Sequence, residues 1–129
     1  MKTNFHICTI CKNAAVLFQD KGGELNCCNQ AMRRLAANTE EASTEKHLPY
    51  LKRKGNMLIA EIGQTIHPQT PEHNIEYVYV KTKHGGQRID LTPEMPPIVE
   101  FAFVDGNEPI AVYAYCNLHG LWMTEVEKW

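Results

Sequence analysis

The chain lacks any run of uncharged residues approaching the roughly 18 to 20 needed to cross a bilayer, which excludes a membrane-spanning helix. Its first residues, MKTNFHICTICKN, lack the apolar stretch of a secretory signal, so the expected address is the cytoplasm. A dominant charge is missing too: 13 Lys and Arg against 15 Asp and Glu leave a net charge of −2 over 129 residues. No global field would hold such a protein on nucleic acid or an anionic membrane, and steering of a charged ligand must be local. Internal repeats, low-complexity segments and a convincing long amphipathic helix are all absent from the pattern. The five cysteines, at 8, 11, 27, 28 and 116, are odd in number. In a reducing compartment that argues against a disulfide framework and for metal ligation or catalysis.

What is present is an ordinary globular composition, 43% hydrophobic and 22% charged, enough for one domain or one with a small appendage. Residues 1–36 hold four of the five cysteines around Lys21-Gly22-Gly23, a turn signal between the apolar runs Ala14 to Phe18 and Glu24 to Cys28. This reads as a small hairpin-based knob, and a module of under roughly 40 residues needs a staple to offset its chain entropy. Residues 37–46, mostly small and polar, read as a linker, with a frayed helical turn carried over from Gln30 to Leu35. From His47 to Trp129 the pattern is β. Met57 to Ile62, Ile75 to Val80, Ile98 to Val104 and Ile110 to Tyr115 are strand-like runs. Gly55-Asn56, His84-Gly85-Gly86 and Asp105-Gly106-Asn107 punctuate them as turns, and Pro93, Pro96 and Pro97 fall between runs. Short strands at this spacing predict a β-sandwich of about seven strands, so the fold class is all-β.

Cys8-Thr9-Ile10-Cys11 is a knuckle whose two sulfurs can converge on one ion, and Cys27-Cys28 would complete a tetrahedral four-sulfur shell suited to zinc or iron. Neighbouring side chains in a strand point to opposite faces, so two adjacent ligands require the backbone to bend at Cys27-Cys28. A redox C-x-x-C pair is the bland alternative, but the βαβ context it needs is missing. His6 lies close by, yet four sulfurs already fill the shell, so it reads as a surface histidine.

A second set follows. Cys116-Asn117-Leu118-His119 directly follows a strand, His67 and His73 bracket a proline-containing turn after another, and His47 opens the β region. Imidazoles with one thiolate suit iron or copper, with zinc also allowed. Cys116, His119 and Met123 have the spacing of a blue-copper loop, which keeps an electron-transfer protein as the alternative, either copper-based or rubredoxin-like through the four-sulfur centre. A zinc-stabilised interaction module is a third reading. Five donors on iron would leave one position for a small oxygen species. Glu45 and Lys46 immediately precede His47, and Lys46 would place a positive charge at the rim, where it raises the capture rate of an anion. Lys52, Arg53 and Lys54 read as a solvated charged face, and His84 sits in a glycine-rich turn and joins no ligand set.

Together, Cys8-x2-Cys11, Cys27-Cys28, Glu45-Lys46-His47, His67-Pro-x4-His73 and Cys116-Asn-Leu-His119-Gly resemble desulfoferrodoxin, the two-iron class of superoxide reductase. The resemblance covers essentially the whole chain. It implies a desulforedoxin-like domain over 1–36 with iron held by Cys8, Cys11, Cys27 and Cys28, then an immunoglobulin-like sandwich over 47–129. There His47, His67, His73 and His119 would ligate a second iron equatorially, with Cys116 axial. It further implies that Glu45 can take the sixth position of the oxidised iron and that Lys46 attracts superoxide and supports protonation. The implied reaction is one-electron reduction of superoxide to hydrogen peroxide without dioxygen, a detoxification. The implied electron donor is rubredoxin or a similar carrier, and the implied assembly is a homodimer.

Overall fold

A computed structural model describes residues 4–40, 42 and 44–129. The first three residues, read above for a secretory segment, and positions 41 and 43 of the expected linker lie outside the described residues. The chain divides into two compact units, Met1–Ala36 and Ala37–Trp129. Among the described residues no helix is long and apolar enough to cross a membrane. The structure is almost entirely β.

In the first unit, β1 (Asn4–Ile7) pairs antiparallel with β2 (Ala14–Leu17) and with β5 (Arg33–Arg34), while β3 (Asn26–Cys27) pairs with β4 (Gln30–Ala31). Two expectations are corrected here. The runs on either side of Lys21-Gly22-Gly23 do not form one hairpin: β2 turns back on β1 through the Cys8–Asn13 knuckle, and β3 folds onto β4. Nor is Gln30 to Leu35 a helical turn, since both β4 and β5 lie within it. Extended pairing satisfies backbone groups that an isolated turn of helix, with its costly nucleus, would leave to solvent.

The second unit starts with a single helical turn, α1 (Thr44–His47), followed by β6 (Pro49–Lys54), β7 (Met57–Ile62), β8 (Ile75–Thr82), β9 (Gly85–Asp90), β10 (Ile98–Ala102), β11 (Pro109–Cys116) and β12 (Gly120–Glu125). These seven strands make two antiparallel sheets, ordered β10-β7-β6 and β12-β11-β8-β9. The expected seven-stranded sandwich is present. The four named runs are β7, β8, β10 and β11; the other three lack clear apolar alternation, β6 and β9 being rich in Lys, Arg or Gly and β12 running Leu121-Trp122-Met123 without a polar break. Gly85-Gly86 is corrected from turn to strand, the turn being Lys83-His84. Gly86 is needed within β9, where the Tyr79 side chain occupies the space a Cβ would fill.

Alternation decides what is buried. Leu58, Ala60 and Ile62 of β7, Val99 and Phe101 of β10, Val78 and Val80 of β8, and Val112, Ala114 and Cys116 of β11 form one core between the sheets. The inward row of β11 thus ends on Cys116. At that end the β8–β11 register shifts, with Tyr115 opposite Tyr77 but Cys116 opposite Ile75, leaving Glu76 as the extra residue. A bulge of this kind re-aims the chain beyond it. It puts buried Ile75, rather than exposed Glu76, beside the thiol and leads the chain back to His73 at the same end of the sandwich.

Candidate metal centres

The first unit gathers Cys8, Cys11, Cys27 and Cys28 with their sulfurs all within 4.8 Å of one another. Local backbone explains how. The knuckle amides of Cys11 and Asn13 donate to the sulfurs of Cys8 and Cys11 at 3.5 and 3.4 Å. Cys28 and Asn29 both take left-handed φ, 53° and 61°, which is the two-residue type I′ turn that closes β3 on β4. That turn is the bend two adjacent ligands require: it swings Cys28 back so that its sulfur lies 3.9 Å from that of Cys27. The Cys8 thiol is lowered to about 6, chiefly by the backbone N–H of Cys11. Cys28 is pushed up to about 12 by sharing hydrogen bonds with Cys11, Cys8 and Cys27. An acidic thiol hydrogen-bonded among its neighbours suits a site that would release protons as a cation enters.

The second unit brings His47, His67, His73 and Cys116 to one end of the sandwich, with ligand atoms again all within 4.8 Å. His119 joins them from the β11–β12 turn, its Nδ1 lying 3.2 Å from Nε2 of His47 and 3.9 Å from the Cys116 sulfur. The rings run in the cyclic order 47, 67, 73, 119. Adjacent centroids are 4.7, 4.5, 5.1 and 4.9 Å apart and meet nearly edge-on, at 71° to 87°. His47 and His73 face each other across the ring at 6.2 Å. Nitrogens of these rings lie close together, Nε2 of His47 being 3.2 Å from a nitrogen of both His67 and His119. Cys116 is fully buried, whereas His73 and His119 keep partial exposure, so the cluster reaches solvent at these two rings and not at the thiol.

The donor chemistry fits a cation. His67 Nδ1 contacts the Pro68 carbonyl at 2.7 Å and donates to it, which leaves Nε2 as the acceptor facing His47 at 3.2 Å. Burial lowers the His67 pKa to about 4, the Pro68 contact opposing it, so the ring is neutral at neutral pH. Burial also lowers that of His73, whose Nε2 is buried with no hydrogen-bond partner. An orphaned imidazole nitrogen aimed among three others is costly unless something positive sits there. Burial pushes the Cys116 thiol up, against the backbone N–H groups of Leu118 and His119 that favour the thiolate.

Glu45 and Lys46 are exposed on α1, directly before the buried His47. The segment is anchored by Thr65, whose N–H donates to the Glu45 carbonyl at 3.0 Å and whose hydroxyl donates to the Glu45 carboxylate at 3.2 Å. Four supporting residues were not singled out from sequence: Gly63, Thr65, Asn117 and Trp122. Asn117 is the one with a local signal, standing inside the Cys116–His119 loop. Its Oδ1 accepts from the Asn74 N–H at 2.9 Å and its Nδ2 donates to the Glu72 carbonyl at 2.9 Å, tying the loop that carries His73 to the loop that carries His119. Met123 lies on β12 next to Trp122, and strand alternation turns it to the opposite sheet face. His6 is half-buried on β1 with its Nδ1 lacking a partner, rather than a surface residue, and His84 sits exposed in its turn.

An all-β fold with a four-thiol cluster in one unit and an imidazole–thiol cluster in the other defines a class, the two-centre metalloproteins. A sequence model of the family described as desulfoferrodoxin matches residues 39–125. A desulfoferrodoxin from Clostridium acetobutylicum is 38% identical over 113 residues, 88% of each chain. The superoxide reductase from Treponema pallidum superposes with a TM-score of 0.82 at 29% identity, covering 97% of this chain and 100% of that one. The one-iron superoxide reductase from Giardia intestinalis matches with a TM-score of 0.52 at 32% identity, covering 65% of this chain and 99% of its own. The chain belongs to the desulfoferrodoxin family.

Proposed function

We propose that the protein is a superoxide reductase that reduces superoxide to hydrogen peroxide without producing dioxygen. The observation that carries this reading is the closed ring of four imidazoles with one buried thiol beside it. His47, His67, His73, His119 and Cys116 would hold an iron ion there. Cys8, Cys11, Cys27 and Cys28 would hold a second in the first unit. Iron held in the imidazole–thiol site would supply the single electron that superoxide needs.

The chain's own residues then do three things. Cys116, sealed from water, would donate electron density to a cation held there. Lys46, exposed on α1 one residue before His47, would draw the anion in and support its protonation. Glu45, held by Thr65, keeps a carboxylate on the same helical turn, where it would compete with an anionic substrate for a bound cation. A rubredoxin-like carrier would return the electron, and we expect two chains to associate.

Metal analysis should give two irons per chain, and superoxide should be consumed with no dioxygen released. Dioxygen at half the superoxide consumed would mean dismutation and would overturn the assignment. Lys46→Ala should slow capture about tenfold at low salt and flatten its ionic-strength dependence. The same rate in both proteins would remove Lys46 from the mechanism. One copper and one zinc per chain would instead favour an electron carrier.

A further inference from the structure

Trp122 sits within β12, opposite Ala114, and is 1% exposed. Its indole lies flat against the imidazole of His47, with centroids 4.9 Å apart and planes 24° from parallel. Its Nε1–H donates to the main-chain carbonyl of His119 at 3.0 Å. His47 and His119 occupy adjacent corners of the imidazole ring, their nitrogens 3.2 Å apart although 72 residues separate them in the chain. One buried side chain therefore grips two corners of the site by two different contacts.

Both contacts act where the scaffold is weakest. His47 ends a single four-residue helical turn, too short to fix a ring plane by itself, and His119 lies in the turn between β11 and β12. A ligand nitrogen is useful only if its lone pair, which lies in the ring plane, points at the common centre. A flat neighbour stops the His47 ring from rotating about its outer torsion. A hydrogen bond to the His119 carbonyl fixes the turn from which the neighbouring ring projects.

We infer that Trp122 is a positioning residue for the metal site, setting the ring plane of His47 and the backbone seat of His119. The inference rests on the reading of these five donors as metal ligands. Loss of such an outer partner costs about 10- to 100-fold in metal retention.

The test uses the full chain loaded with Co(II), comparing wild type, Trp122→Phe, Trp122→Leu and the core control Leu58→Ala. Proton NMR in light and heavy water picks out exchangeable ring N–H resonances shifted by the ion. These arise from histidine ligands and not from the four-cysteine centre. Trp122→Leu should move the His47 and His119 resonances, leave those of His67 and His73 in place, and release cobalt to a chelator about 10- to 100-fold faster. Trp122→Phe, which keeps a flat ring but no donor, should hold the His47 resonance near its wild-type position while that of His119 moves. Leu58→Ala should lower stability without moving any of them. A folded Trp122→Phe protein with both resonances unmoved, or a Trp122→Leu protein releasing cobalt within twofold of wild type, would overturn the inference. Absence of any shifted ring N–H in the wild type would instead refute the metal site itself.

Discussion

Gly63 is where backbone geometry bears most directly on the site, and replacing it gives a sharp prediction. The residue has φ +74°, a left-handed conformation that costs a residue with a side chain roughly 1–2 kcal/mol. A Cβ there would lie 2.5 Å from both the Glu45 carbonyl oxygen and the Lys46 carbonyl carbon, and closer still to the Thr65 carbonyl oxygen. All three are backbone atoms and cannot swing aside, so the turn and α1 must part. Overpacking of this kind costs about 1–3 kcal/mol, bringing Gly63→Ala to roughly 2–5 kcal/mol. Gly106 is the internal reference: its φ is +89°, yet a Cβ would meet nothing within 4 Å, so Gly106→Ala pays only the conformational part. Urea unfolding followed by tryptophan fluorescence measures the difference in the right place, because Trp122 and Trp129 both lie in the second unit. Gly63→Ala should be the less stable by about 1–3 kcal/mol, a midpoint shift near 1 M urea. It should also disturb capture of superoxide, since the displaced segment carries Lys46. Equal losses for the two substitutions, within about 0.5 kcal/mol, would refute the close-approach argument.

Other consequences follow from the same geometry. Asn117→Ala leaves the Asn74 N–H, on a buried residue, without its acceptor; the expected loss is about 1–3 kcal/mol, with faster metal release, read by denaturation and chelator competition. Cys116→Ser should abolish the sulfur-to-iron charge-transfer absorption of the oxidised protein while leaving that of the four-cysteine centre; a persistent band would exclude Cys116 as a ligand. In the metal-free protein His67 titrates near 4 when folded and near 6.5 when unfolded. The unfolded state thus binds the extra proton first, and stability should be full above about pH 6.5 and fall through about pH 4, by at most about 3 kcal/mol. His67→Gln should flatten that slope.

Much of this protein is written locally. Cys8-x-x-Cys11, the adjacent Cys27-Cys28 pair and Cys116-x-x-His119 state their chemistry in a few residues because a ligand's element and spacing are properties of the chain itself. Alternating runs such as Met57 to Ile62 name strands because strand periodicity depends only on neighbours two apart. The tertiary structure decided the rest. Pairing of β1 with β5 joins His6 to Arg34, partners distant in the chain. The order of the four imidazoles, the bulge at Glu76 that turns the chain toward His73, and the grip of Trp122 on His47 all join residues tens of positions apart. No local pattern encodes which distant surfaces will meet, because that is settled only when the two sheets close on their common core.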